Sequence, residues 1–197
     1  MTGGIKQVAP SVSSARVEDL PALACGDIDR LGLLSDRLAR RDAGKGELLV
    51  AWHEGEPAGH VYLWLEPAEE PELRERLPGV PLIMNLWVRD DLRNRGIGTA
   101  LTARAERWLR ARGHLRVALG VAPDNRHATR LYLRLDYEPW PYADLKTFRE
   151  EYGPNGRVTR YPELCAVLVK DLPEVPAAEE PERARLVTEP PGSPRPR

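Results

Sequence analysis

Cysteine, lysine and long apolar runs are all scarce in this chain of 197 residues. Its two cysteines, Cys25 and Cys165, form no CxxC pair and have no histidines beside them at metal-ligand spacing, so we expect neither a disulfide framework nor a metal site. No run approaches the roughly 18 apolar residues of a membrane span, and residues 1–15 contain no signal-like apolar run. These absences favour a cytoplasmic protein without membrane contacts.

An excess of charge is also lacking, because 29 basic and 30 acidic residues leave a net charge of −1. This balance disfavours a nucleic-acid-binding role for the arginine-rich segment 104–112. Hydrophobic residues make up 42% of the chain, enough for one core, and we predict a single domain over residues 1–172. Residues 173–197 contain seven prolines, which remove backbone donors, and we predict a flexible C-terminal tail there.

Hydrophobic periodicity predicts strands and helices in alternation along the rest of the chain. Strand patterns fall at residues 10–16, 47–53, 59–65, 82–88, 116–121 and 164–169, and helical patterns at 17–41, 97–112 and 125–135. This order predicts an α/β fold with a mixed sheet. The connection 138–161 carries five aromatic residues that fit an acceptor-binding wall, a sheet-edge contact or a homodimer contact equally well.

The turn between residues 88 and 101 has two glycines, Gly96 and Gly98, between a predicted strand and a predicted helix. The first amides of a helix have no intrahelical partner and carry partial positive charge, and glycine lets an anion approach the backbone closely. Arg93 and Arg95 add positive charge at the same place. The turn is therefore interpreted as a diphosphate cradle, with a plain helix entry that needs small residues as the alternative.

Two other diphosphate motifs do not fit this turn. A Walker loop requires a lysine after its last glycine, whereas Thr99 follows Gly98. A dinucleotide-binding turn requires a third small residue, whereas Leu101 stands there, and residues 117–121 lack the expected acid.

At this turn the sequence resembles the GNAT superfamily of N-acetyltransferases. One family signature matches Arg93-Asn-Arg-Gly-Ile-Gly98, and a second matches the stretch from Val121 through Asn125, Ala128 and Tyr132 to Tyr137. The second match departs from the family at Asp136, where glycine is usual at the left-handed end of a helix. The two matches cover residues 82–137.

The resemblance implies a GNAT-type, largely antiparallel mixed sheet with splayed central strands, flanked by helices. It also implies acetyl-CoA as the donor, a primary amine of a small molecule or peptide as the acceptor, direct transfer and no metal. Tyr132 would be the general acid and the Val88 N–H the donor to the thioester oxygen. The donor-binding residues would be Leu86, Trp87, Val88, Arg93, Asn94, Arg95, Gly96, Ile97, Gly98, Thr99 and Asn125, the last as a pantetheine contact or a helix cap.

The general base is not evident from the sequence. Many relatives carry a glutamate on the strand before the glycine turn, but residues 82–88 contain no carboxylate. His60 is the candidate named here, followed by Glu66 and His127, although each also fits an ordinary packing or surface role. A water relayed by backbone carbonyls would need no side chain.

The sequence does not identify the acceptor either. Residues 66–76 hold five glutamates and two arginines, which fits an ordinary solvated loop better than a surface that attracts a cationic amine. Two alternatives remain for the function: a non-catalytic acyl-CoA-binding regulatory domain, or an enzyme that acetylates protein lysines or N-termini.

Overall fold

The computed structural model describes residues 9–173, so the predicted tail lies outside the described residues apart from its first position. The strands are β1 (Ser11–Ser14), β2 (Gly46–His53), β3 (Glu56–Trp64), β4 (Leu82–Val88), β5 (Arg116–Val121), β6 (Glu138–Pro139), β7 (Leu145–Tyr152) and β8 (Val158–Asp171). The helices are α1 (Leu20–Ala24), α2 (Ile28–Asp42), α3 (Pro71–Arg76), α4 (Ile97–Arg110) and α5 (Arg126–Arg134).

The strands form a sheet in the order β1-β2-β3-β4-β5-β8-β6, and β7 pairs with the free half of β8. Every pairing is antiparallel except that of β4 with β5. This confirms the predicted α/β class with a mixed, largely antiparallel sheet.

The central strands β4 and β5 separate along their length. They pair only at Leu82 with Ala118 and at Ile83 with Leu119, although β4 continues to Val88 and β5 to Val121. A bulge at Asn85, whose φ of +52° is left-handed, redirects β4 just beyond the last paired residue. A gap therefore opens between the second halves of the two strands.

Helices cover both faces of the sheet. The periodic apolar residues of α4, among them Ile97, Leu101 and Leu109, are buried on one face together with residues of α5. On the other face α1 and α2 cover β2 and β3 through a second core that includes Leu34 and Tyr62. A smaller cluster around α3 and Leu145 fills the remainder of that second face.

Several predicted elements differ from the observed ones in extent. The helix predicted over 97–112 ends at Arg110, and the strand predicted over 164–169 begins earlier, at Val158. The connection 138–161, to which no element was assigned, contains β6 and β7, and α3 lies within the acidic stretch 66–76. The residues of β7 are mostly polar, so neither face gives an apolar alternation.

Asp136 adopts the left-handed conformation, with φ +62°, immediately after α5. This conformation is expected from the resemblance, because relatives have glycine at this position. The Cβ of aspartate makes the left-handed conformation less favourable than it is for glycine.

Candidate active site

A cleft of about 370 Å³ lies beside the gap between β4 and β5. At one end it is lined by Leu86 of β4 and by Asn125, Ala128 and Tyr132 around α5. At the other end it is lined by side chains of α2, the loop before α3, β7 and β8, among them Arg37, Glu69, Glu70, Glu150, Arg160 and Glu163. The cleft thus connects the two faces of the sheet at the place where its central strands part.

Strand β4 offers unpaired backbone groups to this gap. The N–H of Arg89 donates to the carbonyl of Ala58 at 2.9 Å, and β3 residue Gly59 lies opposite Val88. Successive residues of a strand point their N–H groups to opposite sides, so those of Val88 and Leu86 point away from β3, towards the gap. Trp87, which is paired with His60, points its N–H towards β3 instead, so this N–H does not face the gap.

The glycine turn leaves a run of amides without partners. From Asn94 to Thr99, none of the six backbone N–H groups donates to an acceptor within residues 9–173. Asn94 (φ +61°) and Gly96 (φ +79°) are left-handed, and Gly96 directly precedes the first residue of α4. Such a turn at a helix N-terminus concentrates partial positive charge and fits a diphosphate. Arg93 and Arg95 are exposed beside it.

Gly98 joins this cradle to the cleft. A Cβ on Gly98 would lie 3.2 Å from Cδ2 of Leu131 and 3.8 Å from Cδ2 of Leu86. Only a small residue therefore fits at this position. Leu86 lines the cleft, and Leu131 immediately precedes Tyr132. The unpaired amides therefore lie next to the gap in the sheet, and Tyr132 lies next to the same gap.

Tyr132 lines the cleft with a side chain that is only 5% exposed. Burial raises the pKa of its phenol above the ordinary value, so the hydroxyl keeps its proton at neutral pH. The ring packs edge-on against Tyr137 with 5.4 Å between centroids, which fixes its orientation. A buried, protonated hydroxyl in a cleft is suited to give up a proton to a developing anion.

Asn125 caps the N-terminus of α5, which is one of the two roles expected for it. Its Oδ1 accepts from the N–H of Ala128 at 3.1 Å and begins α5. The residue also lines the cleft, so its Nδ2 amide group can contact a ligand while Oδ1 caps the helix.

His60 does not line the cleft, and this placement argues against its predicted role as the general base. The imidazole is 2% exposed and stacks on Trp87 with 5.6 Å between centroids, and the Arg30 guanidinium lies over the same indole, 4.0 Å from its centroid. Burial, and then the charge of Arg30, lower the pKa of His60 to about 4. The carbonyl of Asn85 partly opposes this shift, yet neither ring nitrogen forms a hydrogen bond within residues 9–173.

The other two candidate bases are also outside the cleft lining. Glu66 is bound by Arg40 at 2.8 Å and Lys45 at 3.1 Å, and His127 is exposed on α5. Glu69 and Glu70 are the two acidic residues of the stretch 66–76 that line the cleft.

An ionic network that no sequence pattern indicated borders the second end of the cleft, which α2, β7 and β8 line. Arg37, 4% exposed on α2, donates to Asn85 Oδ1 at 3.1 Å and to Glu150 Oε2 at 3.2 Å. Glu150 also accepts from Arg160 at 2.9 Å and from the hydroxyl of Tyr152 at 3.0 Å. Charged residues on an amphipathic helix are normally read as its solvent face, so no sequence signal distinguished Arg37.

The aromatic residues of the connection 138–161 do not form one wall. Phe148 lines the cleft, whereas Tyr152 packs against Gly32 of α2 and Trp140 packs edge-on against Tyr142 outside the cleft lining. No helix among residues 9–173 is long and apolar enough to cross a bilayer, and in the same range no three metal-ligating side chains form a group.

The chain belongs to the acetyltransferase (GNAT) family, whose model matches residues 17–137. An uncharacterised N-acetyltransferase of Methanocaldococcus jannaschii is 36% identical over 87 residues, which are 43% of this chain and 35% of that protein. The chain therefore spans about a third of the length of this curated relative.

Solved structures share the fold. An N-acetyltransferase from Staphylococcus aureus Mu50 matches 84% of this chain and 100% of its own with a TM-score of 0.61 and 14% identity. A GNAT family acetyltransferase from Elizabethkingia anophelis with acetyl-CoA bound matches 83% of this chain and 98% of its own, with a TM-score of 0.54 and 16% identity.

Proposed function

We propose that the protein is an acetyl-CoA-dependent N-acetyltransferase that moves an acetyl group directly to a primary amine of a small molecule or peptide. The observation that carries this proposal is the run of six unpaired amides from Asn94 to Thr99, adjacent to a gap that ends at Tyr132. A diphosphate needs such donors, and a pantetheine arm needs the unpaired strand edge beside them.

In this proposal each part of the donor site has a separate task. The amides of residues 94–99, with Arg93 and Arg95, bind the pyrophosphate. Leu86 and Val88 pair with the pantetheine amides as an added strand would, and the Nδ2 group of Asn125 contacts the same arm. The bound thioester supplies the electrophilic acetyl carbonyl.

The chemical step uses two groups of this chain. The N–H of Val88 donates to the carbonyl oxygen as negative charge develops there, an effect commonly worth a few kcal/mol of barrier. The acceptor ammonium first releases one proton to solvent; its nitrogen then forms the C–N bond while the C–S bond breaks. Tyr132 protonates the leaving sulfur and regains a proton from the acylated nitrogen, so the products are an amide, a thiol and one released proton.

Neither cysteine is assigned an acyl-carrying role. Burial, with the charges of Glu163, Glu70 and Asp144, raises the pKa of the cleft residue Cys165 to about 11, so its sulfur is a neutral thiol at physiological pH. Cys25 is exposed and does not line the cleft. Direct transfer in a ternary complex follows from this chemistry.

Calorimetric titration tests the donor site. Coenzyme A should bind at least about a hundredfold more tightly than pantetheine, because only the former carries the pyrophosphate that forms charge-assisted bonds to the amides. Equal affinity for the two compounds would contradict the cradle.

A thiol-release assay over a panel of amines tests the reaction. Turnover of acetyl-CoA with at least one small amine is the expected result. Saturable binding without turnover would instead select the non-catalytic regulatory role, and turnover restricted to protein lysines or N-termini would move the acceptor to that class.

A further inference from the structure

The second end of the cleft has an apolar floor beneath its charged rim. The residues of this apolar floor come from five elements and line the cleft together: Leu33 of α2, Trp64 of β3, Leu73 of α3, Leu82 and Met84 of β4, and Leu145 of β7. Leu33, Leu82 and Met84 are only partly buried. The floor therefore keeps part of its apolar surface uncovered within residues 9–173.

The apolar floor lies where two apolar clusters on the same face of the sheet meet. Trp64 belongs to the core beneath α1 and α2, whereas Leu73 and Leu145 belong to the smaller cluster around α3. Leu82 packs against both clusters, and the cleft lies beside it. Protein interiors are normally packed without such space, because side chains that border a void lose dispersion contacts. An apolar group of a ligand would restore these contacts.

The side chains of the apolar floor, all within residues 9–173, offer no free hydrogen-bond donor to a ligand. The indole N–H of Trp64 donates to the carbonyl of Pro67 at 3.4 Å, and the other five floor side chains have neither a hydroxyl nor an N–H. A water molecule there would lack polar partners, and apolar cavities of this kind stay dry and bind apolar molecules.

The charged rim above the floor does not favour an anionic ligand. Each arginine of the cleft lining has a carboxylate partner: Arg37 and Arg160 share Glu150, and Arg149 pairs with Glu151 at 2.5 Å. An anion would have to displace one of these carboxylates. The lining contains four glutamates and three arginines, so a cationic amine is compatible with the charge at this end.

Contacts along the rim limit the size of the group that the floor can hold. Arg160 of β8 pairs with Glu69 at 3.1 Å and connects the β7–β8 hairpin to the loop before α3. Arg37 of α2 connects the same hairpin to α2 through Glu150. Three elements are thus linked around the floor, and the whole cleft measures about 370 Å³, a volume typical of small-molecule sites.

The apolar floor is connected to the proposed reaction centre through the gap between β4 and β5. Met84 on the floor and Leu86 at the donor end of the cleft are two residues apart, about 7 Å at the usual rise of a strand. The bulge at Asn85 lies between them, where β4 separates from β5. A primary amine on a linker of a few carbons can therefore reach the gap while its apolar group stays on the floor.

We propose that the acceptor is a compact primary amine with an apolar group, aryl or branched alkyl, which binds on the apolar floor while the amine enters the gap. This inference rests on the proposed acetyl transfer and names the substrate class of that site. The floor residues act on acceptor affinity rather than on bond making, so they determine specificity and are not catalytic residues.

Two pairs of amines with matched linkers test the inference: 2-phenylethylamine with ethylamine, and 4-phenylbutylamine with butylamine. In the thiol-release assay, at least one phenyl compound should exceed its alkyl partner at least about tenfold in kcat/KM, mainly through a lower KM. A tenfold ratio corresponds to about 1.4 kcal/mol, which the burial of about 55 Å² of apolar surface supplies. Moderate sodium chloride should leave this ratio unchanged, because mobile ions screen charges rather than apolar contacts.

Leu33→Asn and Met84→Gln place a polar group of similar size on the floor, and Leu31→Asn is the matched control on α2. Leu31 is 38% exposed and lies outside the cleft lining. Each floor variant should lower the phenyl-to-alkyl ratio of kcat/KM towards one, whereas Leu31→Asn should keep the wild-type ratio. A variant that is merely destabilised would lose both activities in proportion and keep the ratio. Coenzyme A affinity should be the same in all four proteins.

Binding to the protein saturated with coenzyme A provides a readout that does not depend on turnover. Calorimetric titration of the preferred phenyl compound at several temperatures should give a negative heat-capacity change, which marks apolar burial, and a smaller change in the double variant Leu33→Asn/Met84→Gln. Equal kcat/KM within both amine pairs, or a ratio that the floor variants keep, would overturn the apolar assignment and leave acetyl transfer intact. Absence of both coenzyme A binding and turnover would overturn the two proposals together.

Discussion

The Arg37 guanidinium on α2 donates to the Glu150 carboxylate on β7 across 3.2 Å, and this ion pair connects the helical layer to the β7–β8 hairpin. The arginine is 4% exposed and also binds the side-chain oxygen of Asn85 at the β4 bulge. One buried side chain of α2 therefore contacts both β4 and β7 beside the cleft.

Removal of this arginine should destabilise the fold. Arg37→Ala leaves Glu150 with only Arg160 as a cation, and we expect unfolding free energy to fall by about 2–3 kcal/mol, somewhat less than for a fully isolated buried charge. Urea titration measures the change. Arg116→Ala serves as the control, because the Arg116–Asp171 pair is exposed and should contribute little. A similar loss in both variants would contradict a special role for Arg37.

The same network predicts a pH dependence. Burial by itself favours the neutral Glu150, but hydrogen bonds from Arg160, Tyr152 and Arg37 outweigh it and hold the pKa below the ordinary value of 4.5. A carboxyl whose pKa is lower in the folded state contributes stability above its unfolded pKa and loses it as pH falls through the folded pKa. Wild type should therefore exceed Glu150→Gln in unfolding free energy at pH 6, with the difference shrinking towards pH 3. A difference that is constant with pH would contradict the ionised pair.

Tyr132→Phe should separate catalysis from donor binding. Loss of the hydroxyl removes the proton donor to the leaving sulfur, and kcat should fall about a hundredfold while the coenzyme A dissociation constant stays unchanged. Tyr137→Phe is the matched control: its hydroxyl is buried, has no hydrogen-bond partner within residues 9–173 and does not line the cleft. Unchanged kcat in Tyr132→Phe would remove the acid assignment.

The end of α5 offers a test of backbone strain. Asp136 is left-handed, and Asp136→Gly should raise unfolding free energy by about 0.5–1 kcal/mol, because glycine adopts this conformation without a Cβ clash. The control Asp124→Gly changes a residue with ordinary negative φ. It should lower the unfolding free energy slightly, because glycine gives the unfolded chain more conformational freedom. Thermal unfolding of wild type and the two variants measures the order of their stabilities.

The sequence predicts the local elements of this fold better than its long-range contacts. Helix α4 is visible because Ile97, Leu101 and Ala105 repeat at helical spacing within one segment. Strand β7 has no such pattern, because a residue such as Glu150 is stabilised by partners on β8 and α2 rather than by an apolar face.

The residues of the candidate site also differ in how well the sequence predicts them. The turn around Gly96 and Gly98 is recognisable because its backbone chemistry depends on adjacent residues. His60 illustrates the limit: a histidine on a strand does not reveal which surface its ring meets, and here the ring lies against Trp87 rather than in the cleft. Glu163 and Thr147 lie on separate strands that only the pairing of β7 with β8 brings together, and the Thr147 hydroxyl donates to Glu70 in the loop before α3.

A crystal structure with coenzyme A bound is the decisive test of the donor site. We expect the pyrophosphate oxygens within hydrogen-bond distance of backbone amides between Asn94 and Thr99, the pantetheine arm alongside Leu86 and Val88, and the sulfur beside the Tyr132 hydroxyl. A coenzyme bound elsewhere on the protein, with those six amides still unpaired, would contradict it.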